Sequence, residues 1–253
     1  MTGTAGPRWY VISLRPRGAH APLRRAAHAA GHGFVALSPW RIAMRDDDAT
    51  RAALLDALGA GLVVFSSPAA VAAARRLVTL PVHLRALAVG AGTAAALRRA
   101  GVARVAHPAR MDSEGLLDLP ELADVRGRAV GLVTAPGGRD AIAPALVARG
   151  ARVRRADVYT REPMAPAPRA LVQLRTLAAG GARLAIAASS ADALRRVDAT
   201  LGPVLSIDLR RARVLAGSAR IARGARDLGY GDVVAAEGPR PRQLIAALNG
   251  NAD

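Results

Sequence analysis

The sequence contains no cysteine and no lysine among its 253 residues. Without cysteine, disulfide bonds, thiolate catalysis and cysteine-ligated zinc sites are excluded. Without lysine, a Gly-Lys-Ser/Thr phosphate-binding loop is excluded. Aromatic residues are also scarce, at 3% of a chain that is 51% hydrophobic, so we predict a core of Ala, Leu and Val. No apolar run approaches the ~20 residues that a membrane-spanning helix needs.

The charge of the chain is strongly positive, because all 36 basic residues are arginine and the net charge is +17. Such a field attracts anions and raises their concentration near a cleft. Nucleic acid is one candidate partner, but the arginines are spread along the chain and few aromatics are present to stack on bases. The start enters a strand-like run at Trp9 without a charged-then-apolar leader, so we expect no signal peptide and a cytoplasmic protein.

Two kinds of segment repeat along the chain. The first kind is a strand, a Pro-containing turn, a helix and a strand, at 11–37 and at 130–153. The second kind is a strand, Ser-Ser and a helix, followed by a strand, a Gly-containing turn and a helix, at 62–101 and at 184–229. Apolar runs that alternate with Ala/Leu/Arg helices indicate parallel sheets covered on both faces. We therefore predict an α/β fold of two similar domains, each a parallel sheet flanked by helices.

The division between the domains has two solutions from the sequence pattern alone. A simple division cuts the chain near 120–128. The alternative puts the middle of the chain in one domain and both ends in the other. In that case Phe34–Met44 and Val153–Arg161 run side by side as a two-strand hinge.

Candidate binding residues follow the predicted strands, where ligands bind in open α/β sheets. Ser67, which precedes Pro68, is a predicted helix N-cap, and Ser190 is placed similarly. A capping serine is either structural or part of an anion site, since a helix start keeps free N–H donors. The strand ends are Arg15-Pro16, Ser66-Ser67, Gly90–Thr93, Gly137–Arg139, Ser189-Ser190 and Gly217-Ser218.

The loop Pro136-Gly137-Gly138-Arg139 lies between a predicted strand and a predicted helix. Bare backbone beside an arginine is typical of an anion site, and a phosphate, a nucleic-acid backbone or a carboxylate-rich metabolite each fits. Tyr159 ends the extended run "ARVRRADVY" and is one of three tyrosines. It either packs the hinge or places a phenol at an interdomain cleft as a proton donor.

We expect neither an organic cofactor nor a metal. "GAGTAA" at 90–95 resembles a dinucleotide fingerprint, but the next strand ends with His107 and Pro108 instead of the acidic residue that binds the ribose. His28 and His32 lack the nearby glutamate of a zinc-protease pattern. The run "RDDDATR" is interpreted as a solvated loop and helix start.

Taken together, several segments resemble the uroporphyrinogen-III synthase family over nearly the whole chain. Their order and spacing carry the resemblance more than any single segment. They are "VISLRP", "VFSSPAAV", "LAVGAGTAAALRRAG", "SEGLL", "GGRDAIAPALVARGARVRRADVYTR", "AASSADAL" and "SARIARGARDLGYGDVVAAEGP".

The resemblance implies two α/β domains, 1–38 with 164–253 and 39–163, with linker strands near 34–44 and 153–161. It implies an enzyme that cyclises hydroxymethylbilane, a linear tetrapyrrole, with loss of water and inversion of the last ring to give uroporphyrinogen III. The resemblance further implies that the ligand lies between the domains, held largely by backbone amides, so the expected anions are its carboxylates. Family members need no cofactor.

The resemblance also implies site residues. Tyr159 matches the family tyrosine proposed as the acid for the leaving hydroxyl, where it either transfers a proton or positions the substrate. Arg139 either contacts a carboxylate or only fixes its loop. Ala135-Pro136 and Gly217-Ser218-Ala219 depart from the commoner family sequences. The substrate-binding candidates are Arg15, Ser66, Ser67, Thr93, Gly137, Gly138, Arg139, Ser189, Ser190 and Ser218.

The expected partners follow from this assignment. We expect a monomer that binds a small tetrapyrrole, makes transient contact with the preceding pathway enzyme, and binds neither nucleic acid nor membrane. Two alternatives are a non-catalytic two-domain binder of another polyanionic metabolite and a nucleic-acid-binding protein that uses the positive charge. Formation of the type III isomer discriminates against the first, and salt-dependent association with nucleic acid would favour the second.

Overall fold

The computed structural model describes residues 8–137, 141–188, 190–201 and 209–248. The chain divides into two compact units. Unit 1 consists of Met1–Arg41 and Glu162–Asp253, and unit 2 of Ile42–Arg161. Each unit is therefore described by itself.

The strands are short, as is usual for parallel α/β sheets. In chain order they are β1 (Tyr10–Ser13), β2 (Gly33–Ala36), β3 (Trp40–Met44), β4 (Leu62–Phe65), β5 (Arg85–Ala88), β6 (Arg104–Ala106), β7 (Ala129–Thr134), β8 (Arg152–Asp157), β9 (Tyr159–Pro163), β10 (Leu184–Ala188), β11 (Arg213–Ala216) and β12 (Val233–Ala235).

The helices alternate with the strands. They are α1 (Ala21–Ala29), α2 (Asp48–Leu58), α3 (Pro68–Leu77), α4 (Ala91–Arg99), α5 (Ser113–Leu117), α6 (Ile142–Ala148), α7 (Pro168–Ala179), α8 (Ala191–Thr200), α9 (Ala219–Asp227) and α10 (Pro241–Ala246), with a 3-10 turn at Pro120–Leu122.

Each unit contains one five-stranded sheet. The order is β12-β11-β10-β1-β2 in unit 1 and β6-β5-β4-β7-β8 in unit 2. The pairs between neighbouring strands are parallel. The two orders describe the same path, because β10, β11, β12, β1 and β2 take the places of β4, β5, β6, β7 and β8. The predicted fold class, two similar α/β domains with parallel sheets flanked by helices, is confirmed.

The central strands are buried on both faces, which explains why they lack alternating polar residues. In β4, Val63 and Phe65 pack into one apolar cluster, and Leu62 and Val64 into a second on the opposite face. In unit 1, Ile186 of β10 packs into one cluster, and the neighbouring residues of the same strand pack into another. Small Ala side chains are common in these clusters, as the composition predicts.

The chain passes between the units through β3 and β9, which pair as a two-stranded sheet. Each extended stretch expected at Phe34–Met44 and Val153–Arg161 contains a strand of a five-stranded sheet followed by a strand of this linker. Pro39 separates β2 from β3, because proline has no N–H to continue a ladder. Val158 separates β8 from β9: its N–H donates to Thr134, and its carbonyl accepts from the N–H of Arg45.

No helix in the described ranges combines the length and the apolar character that crossing a bilayer requires.

Candidate functional site

Ser67 begins helix α3 in unit 2. Its backbone is extended, and its Oγ accepts a hydrogen bond of 3.1 Å from the N–H of Ala70. Pro68 follows at the first helical position, where its missing N–H has no cost. The predicted N-cap is therefore confirmed. Ser67 is half-buried, so the residue lies between the core of unit 2 and the surface.

Tyr159 is placed against this helix start by β9, of which it is the first residue. Its ring is 1% exposed and packs into the apolar cluster that contains Phe65 and Val133. Its hydroxyl oxygen lies 3.0 Å from Oγ of Ser67, and either atom can be the donor. The tyrosine is thus both a core aromatic and a polar group at the start of α3.

Arg161 completes this group of side chains. Its Nη2 donates to the Tyr159 hydroxyl oxygen over 3.3 Å, and its Cζ lies 5.8 Å from the centre of the Tyr159 ring. Arg161 is exposed, whereas Tyr159 is buried. The two residues share one face of β9 because side chains two apart on a strand point the same way. We call Ser67, Tyr159 and Arg161 the hydroxyl cluster.

The other candidate residues of unit 2 differ in what they can offer a ligand. The N–H of Ser66 already donates to Val133, and that of Thr93 to Gly90, so only their side chains are free to bind. Thr93 is 4% exposed, in the first turn of α4. Gly137 is exposed and has a φ of +74°, a conformation that favours glycine. Gly138 and Arg139 lie outside the described residues.

In unit 1 the candidates follow three adjacent strands, β1, β10 and β11. Ser190 caps α8 by accepting from Ala193 over 3.0 Å, which confirms its prediction as an N-cap, and Ser218 caps α9 by accepting from Ile221 over 3.3 Å. Arg15 is half-buried, and burial lowers the pKa of its guanidinium. Ser189 lies outside the described residues.

Arg15 and the loop after β11 meet at Pro239. Nη2 of Arg15 lies 3.5 Å from the Pro239 carbonyl oxygen, which is the outer limit of a hydrogen bond. A Cβ on Gly217 would lie 2.8 Å from Cα of Pro239, so this close approach requires glycine. The candidates of unit 1 therefore share the carboxyl edge of its sheet.

Two polar features were missed by the sequence analysis. Arg161 could have been found from its position two residues after Tyr159 on one strand. The second feature is His20, which is 7% exposed and bonded through Nδ1 to Ser13 (2.9 Å) and through Nε2 to Ser38 (2.7 Å). Burial lowers the pKa of His20, and the charges of Arg24 and Arg15 lower it further. Its partners are 7 and 18 residues away, and no local pattern indicates them.

Within the described part of the chain, no three His, Asp or Glu side chains converge as ligands for a metal ion. The hydroxyl cluster offers instead a phenol, an alcohol and a guanidinium beside the N–H groups at a helix start. Such a group can donate protons and bind anions.

Comparison with known proteins assigns the chain to a family. The family model described as uroporphyrinogen-III synthase HemD matches residues 21–246. A uroporphyrinogen-III synthase of Salmonella typhimurium is 33% identical over 173 residues, which are 66% of this chain and 68% of that protein. The chain belongs to the uroporphyrinogen-III synthase family. The family's enzymes are lyases of porphyrin and heme biosynthesis.

Further relatives agree with this assignment. A uroporphyrinogen-III synthase of Escherichia coli is 29% identical over 168 residues, 64% of this chain and 65% of that protein, slightly less than two thirds of its length. Two solved structures share the fold. A mutant uroporphyrinogen III synthase of Thermus thermophilus has a TM-score of 0.60 at 22% identity, covering 96% of this chain and 99% of that one. The Helicobacter pylori enzyme has a TM-score of 0.62 at 13% identity, with the same coverage.

Proposed function

We propose that this chain converts hydroxymethylbilane to uroporphyrinogen III, with loss of water and inversion of the last pyrrole ring. The observation that carries this proposal beyond family membership is the hydroxyl cluster, which holds a buried phenol 3.0 Å from the serine that begins α3. We propose further that units 1 and 2 act as the two domains of the enzyme.

The substrate carries an acetate and a propionate on each ring, so binding requires donors for several carboxylates. The first N–H groups of a helix have no partner within it, and they attract anions. We assign carboxylate binding to the helix starts at Ser67, Ser190 and Ser218, to Arg15, and to the loop at Gly137. We assign further contacts with the substrate to Ser66, Thr93, Gly138, Arg139 and Ser189. Holding a flexible chain in one folded conformation is catalysis by orientation.

Proton transfer is assigned to Tyr159 and Ser67 together. Because Tyr159 is 1% exposed and Ser67 is half-buried, the serine hydroxyl is the nearer of the two to a ligand in solvent. If Tyr159 donates to Ser67, the serine's own hydrogen is free to bond to the leaving hydroxyl of the substrate. Ser67 then passes its proton to that hydroxyl, which leaves as water. The phenol of Tyr159 gives its own proton to the Ser67 oxygen and becomes a phenolate.

The phenolate that remains lies beside Arg161, whose guanidinium already donates to the same oxygen. Departure of the hydroxyl as water leaves an electrophilic azafulvenium cation, and attack by the substituted position of the last ring gives a spiro intermediate that reopens with the ring inverted. Closure at the free position of that ring releases a proton, which restores the phenol. The proton balance is therefore closed without an external acid.

The cellular setting is part of the same proposal. An enzyme that consumes a free tetrapyrrole precursor needs no membrane, so we propose a cytoplasmic monomer that receives its unstable substrate through transient contact with the preceding enzyme. The positive charge of the chain would favour capture of a polyanionic substrate.

The isomer composition of the product tests the proposal. Hydroxymethylbilane, generated enzymatically, is incubated with the protein, and the products are oxidised and separated as porphyrin isomers. We expect the type III isomer to form faster than the spontaneous closure to type I. If the protein binds the tetrapyrrole but only type I forms at the spontaneous rate, the chain is a non-catalytic binder and the proposal is wrong.

A further inference from the structure

Unit 1 contains a cavity that the proposed reaction does not use. Its volume is about 870 Å³, which lies within the range of sites for small organic molecules. It is lined by α1, by the edge strand β2, by the segment before α7 and by the first turns of α7. None of the substrate-binding candidates lines it.

The charged groups of this cavity are all positive. Arg17, Arg24 and Arg169 line it, and its lining contains no Asp or Glu. None of the three forms an ion pair with a carboxylate among the described residues. Some other arginines of unit 1 are paired, such as Arg196 with Asp192. The cavity thus concentrates positive charge without an internal counterion.

The wall of the cavity is apolar and includes one of the two phenylalanines of the chain. Phe34 is half-buried, and the guanidinium carbon of Arg24 lies 5.1 Å from the centre of its ring. Stacking uses the face of a guanidinium and leaves its N–H edge free for an anion. Met164 and Pro166 extend the apolar wall, so a ligand with an aromatic body fits beside the arginines.

Two helix starts add to the positive potential. Helices α1 and α7 begin at this cavity, and neither N-cap residue, His20 or Ala167, makes a side-chain capping bond. Their first N–H groups therefore contribute partial positive charge at the cavity. Ser38 also lines the cavity, and its hydroxyl is bonded to His20, which fixes both side chains.

We propose that this cavity binds a small aromatic carboxylate. The carboxylate is held by Arg24 and Arg169, and the aromatic body packs on Phe34. None of the proposed substrate residues lines this cavity, and its occupation does not depend on the synthase activity.

Isothermal titration calorimetry with 2-naphthoate as the ligand tests the proposal on the full chain. We expect saturable binding of 2-naphthoate, with 2-naphthamide, the neutral isostere, and acetate, the anion without a ring, each binding at least about tenfold more weakly. The double variant Arg24→Gln/Arg169→Gln should weaken 2-naphthoate binding by about tenfold or more. Phe34→Leu should weaken it less, since it removes only the ring contact.

A matched control is available on the same two helices. Arg25 and Arg175 are exposed, lie on α1 and α7, and do not line the cavity. Arg25→Gln/Arg175→Gln removes the same charge and should leave the affinity for 2-naphthoate unchanged. The proposal is overturned if 2-naphthoate shows no saturable binding, if 2-naphthamide binds equally well, or if the control pair loses as much affinity as the cavity pair. A crystal soaked in 2-naphthoate with the ligand bound elsewhere would overturn it as well.

Discussion

The two units have the same sheet order but different side chains at one equivalent position. The N–H of Leu37 donates to Ser13 in unit 1, and that of Val158 donates to Thr134 in unit 2, each over 3.0 Å. The next residue in each unit is therefore equivalent: Ser38 in unit 1 and Tyr159 in unit 2.

The partners of these two residues differ. Tyr159 binds Ser67 at a helix start and accepts from an exposed arginine. Ser38 binds His20, whose other nitrogen binds Ser13, and all three of these residues are buried. One topology therefore carries a cluster with a half-buried serine and an exposed arginine in unit 2, and a network of three buried side chains beside the cavity in unit 1. We therefore place proton transfer in unit 2 and expect unit 1 to contribute binding.

The largest expected effect is on turnover in Tyr159→Phe. The ring and its packing remain, while the hydroxyl is lost, so the rate of type III formation should fall about 100-fold. The control is Tyr230→Phe in unit 1, which removes the hydroxyl of another buried tyrosine. Tyr230 is 2% exposed, and burial raises its pKa to about 12, so it is a poor proton donor. The control should keep normal kinetics. Near-normal turnover in Tyr159→Phe would mean that the placement of proton transfer in unit 2 is wrong.

A second prediction concerns packing, in which the units also differ. In unit 1, Tyr10 of β1 pairs with Gly33, and a Cβ on Gly33 would lie 2.4 Å from the Tyr10 ring. In unit 2 the equivalent of Tyr10 is Gly131, which pairs with Arg154.

A Cβ on Gly131 would lie 2.2 Å from the carbonyl oxygen of Ala57 in α2. Gly131→Ala should therefore destabilise the protein by about 1–3 kcal/mol, visible as a lower melting temperature. Gly61→Ala, which meets no atom within 4 Å, is the control. Equal melting temperatures for the two variants would mean that α2 does not approach the sheet this closely.

A third prediction concerns Arg161. Arg161→Gln removes the positive charge beside the Tyr159 oxygen, and turnover should fall about tenfold with little change in KM, because the group acts on the acid and does not bind substrate. Arg128→Gln, an exposed change elsewhere in unit 2, is the control. A raised KM at constant turnover would instead assign Arg161 to substrate binding.

The smallest expected effect is a pH dependence of stability from the network of unit 1. The pKa of His20 is lowered in the folded protein, mainly by burial, from an ordinary value of 6.5. Below that value the unfolded chain binds the proton before the folded protein does, so the free energy of unfolding falls as the pH drops towards the folded pKa.

Urea midpoints at about pH 7.5 and about pH 5.5 measure this loss, which should be smaller in His20→Gln. Some loss should remain in that variant, because the pKa of His32 is also lowered by burial. The same pH dependence in both proteins would show that His20 is not buried in a neutral form.

The fold was largely predictable because its signals are local. The sequence repeats at 11–37 and 130–153 correspond to β1-α1-β2 and β7-α6-β8, which occupy equivalent places in the two sheets. Ser67 and Ser190 were predicted as N-caps from the residues that follow them, and both side chains bond to the N–H three residues on. Both signals depend on neighbours in the chain.

The candidate site was only partly predictable because its contacts join distant segments. The contact between Ser67 and Tyr159 spans 92 residues, and although the sequence pattern singles out each residue, nothing in it indicates that the two touch. Ser66 is a predicted binding residue, but its N–H donates to the carbonyl oxygen of Val133 in the neighbouring strand, a contact that the sequence around Ser66 does not indicate. The His20 network depends on three segments of the fold, and nothing in the residues around His20 indicates it.

A double-mutant cycle tests whether Ser67 and Tyr159 act as one proton-transfer unit. The rate of type III formation is measured for Ser67→Ala, Tyr159→Phe and the double variant. The control is Asp47→Ala, which removes the N-cap of α2, a helix start of unit 2 outside the proposed site. The double variant should be no slower than the slower single variant, because either change breaks the same relay. Losses that multiply in the double variant, or a loss in Asp47→Ala as large as that in Ser67→Ala, would contradict this relay.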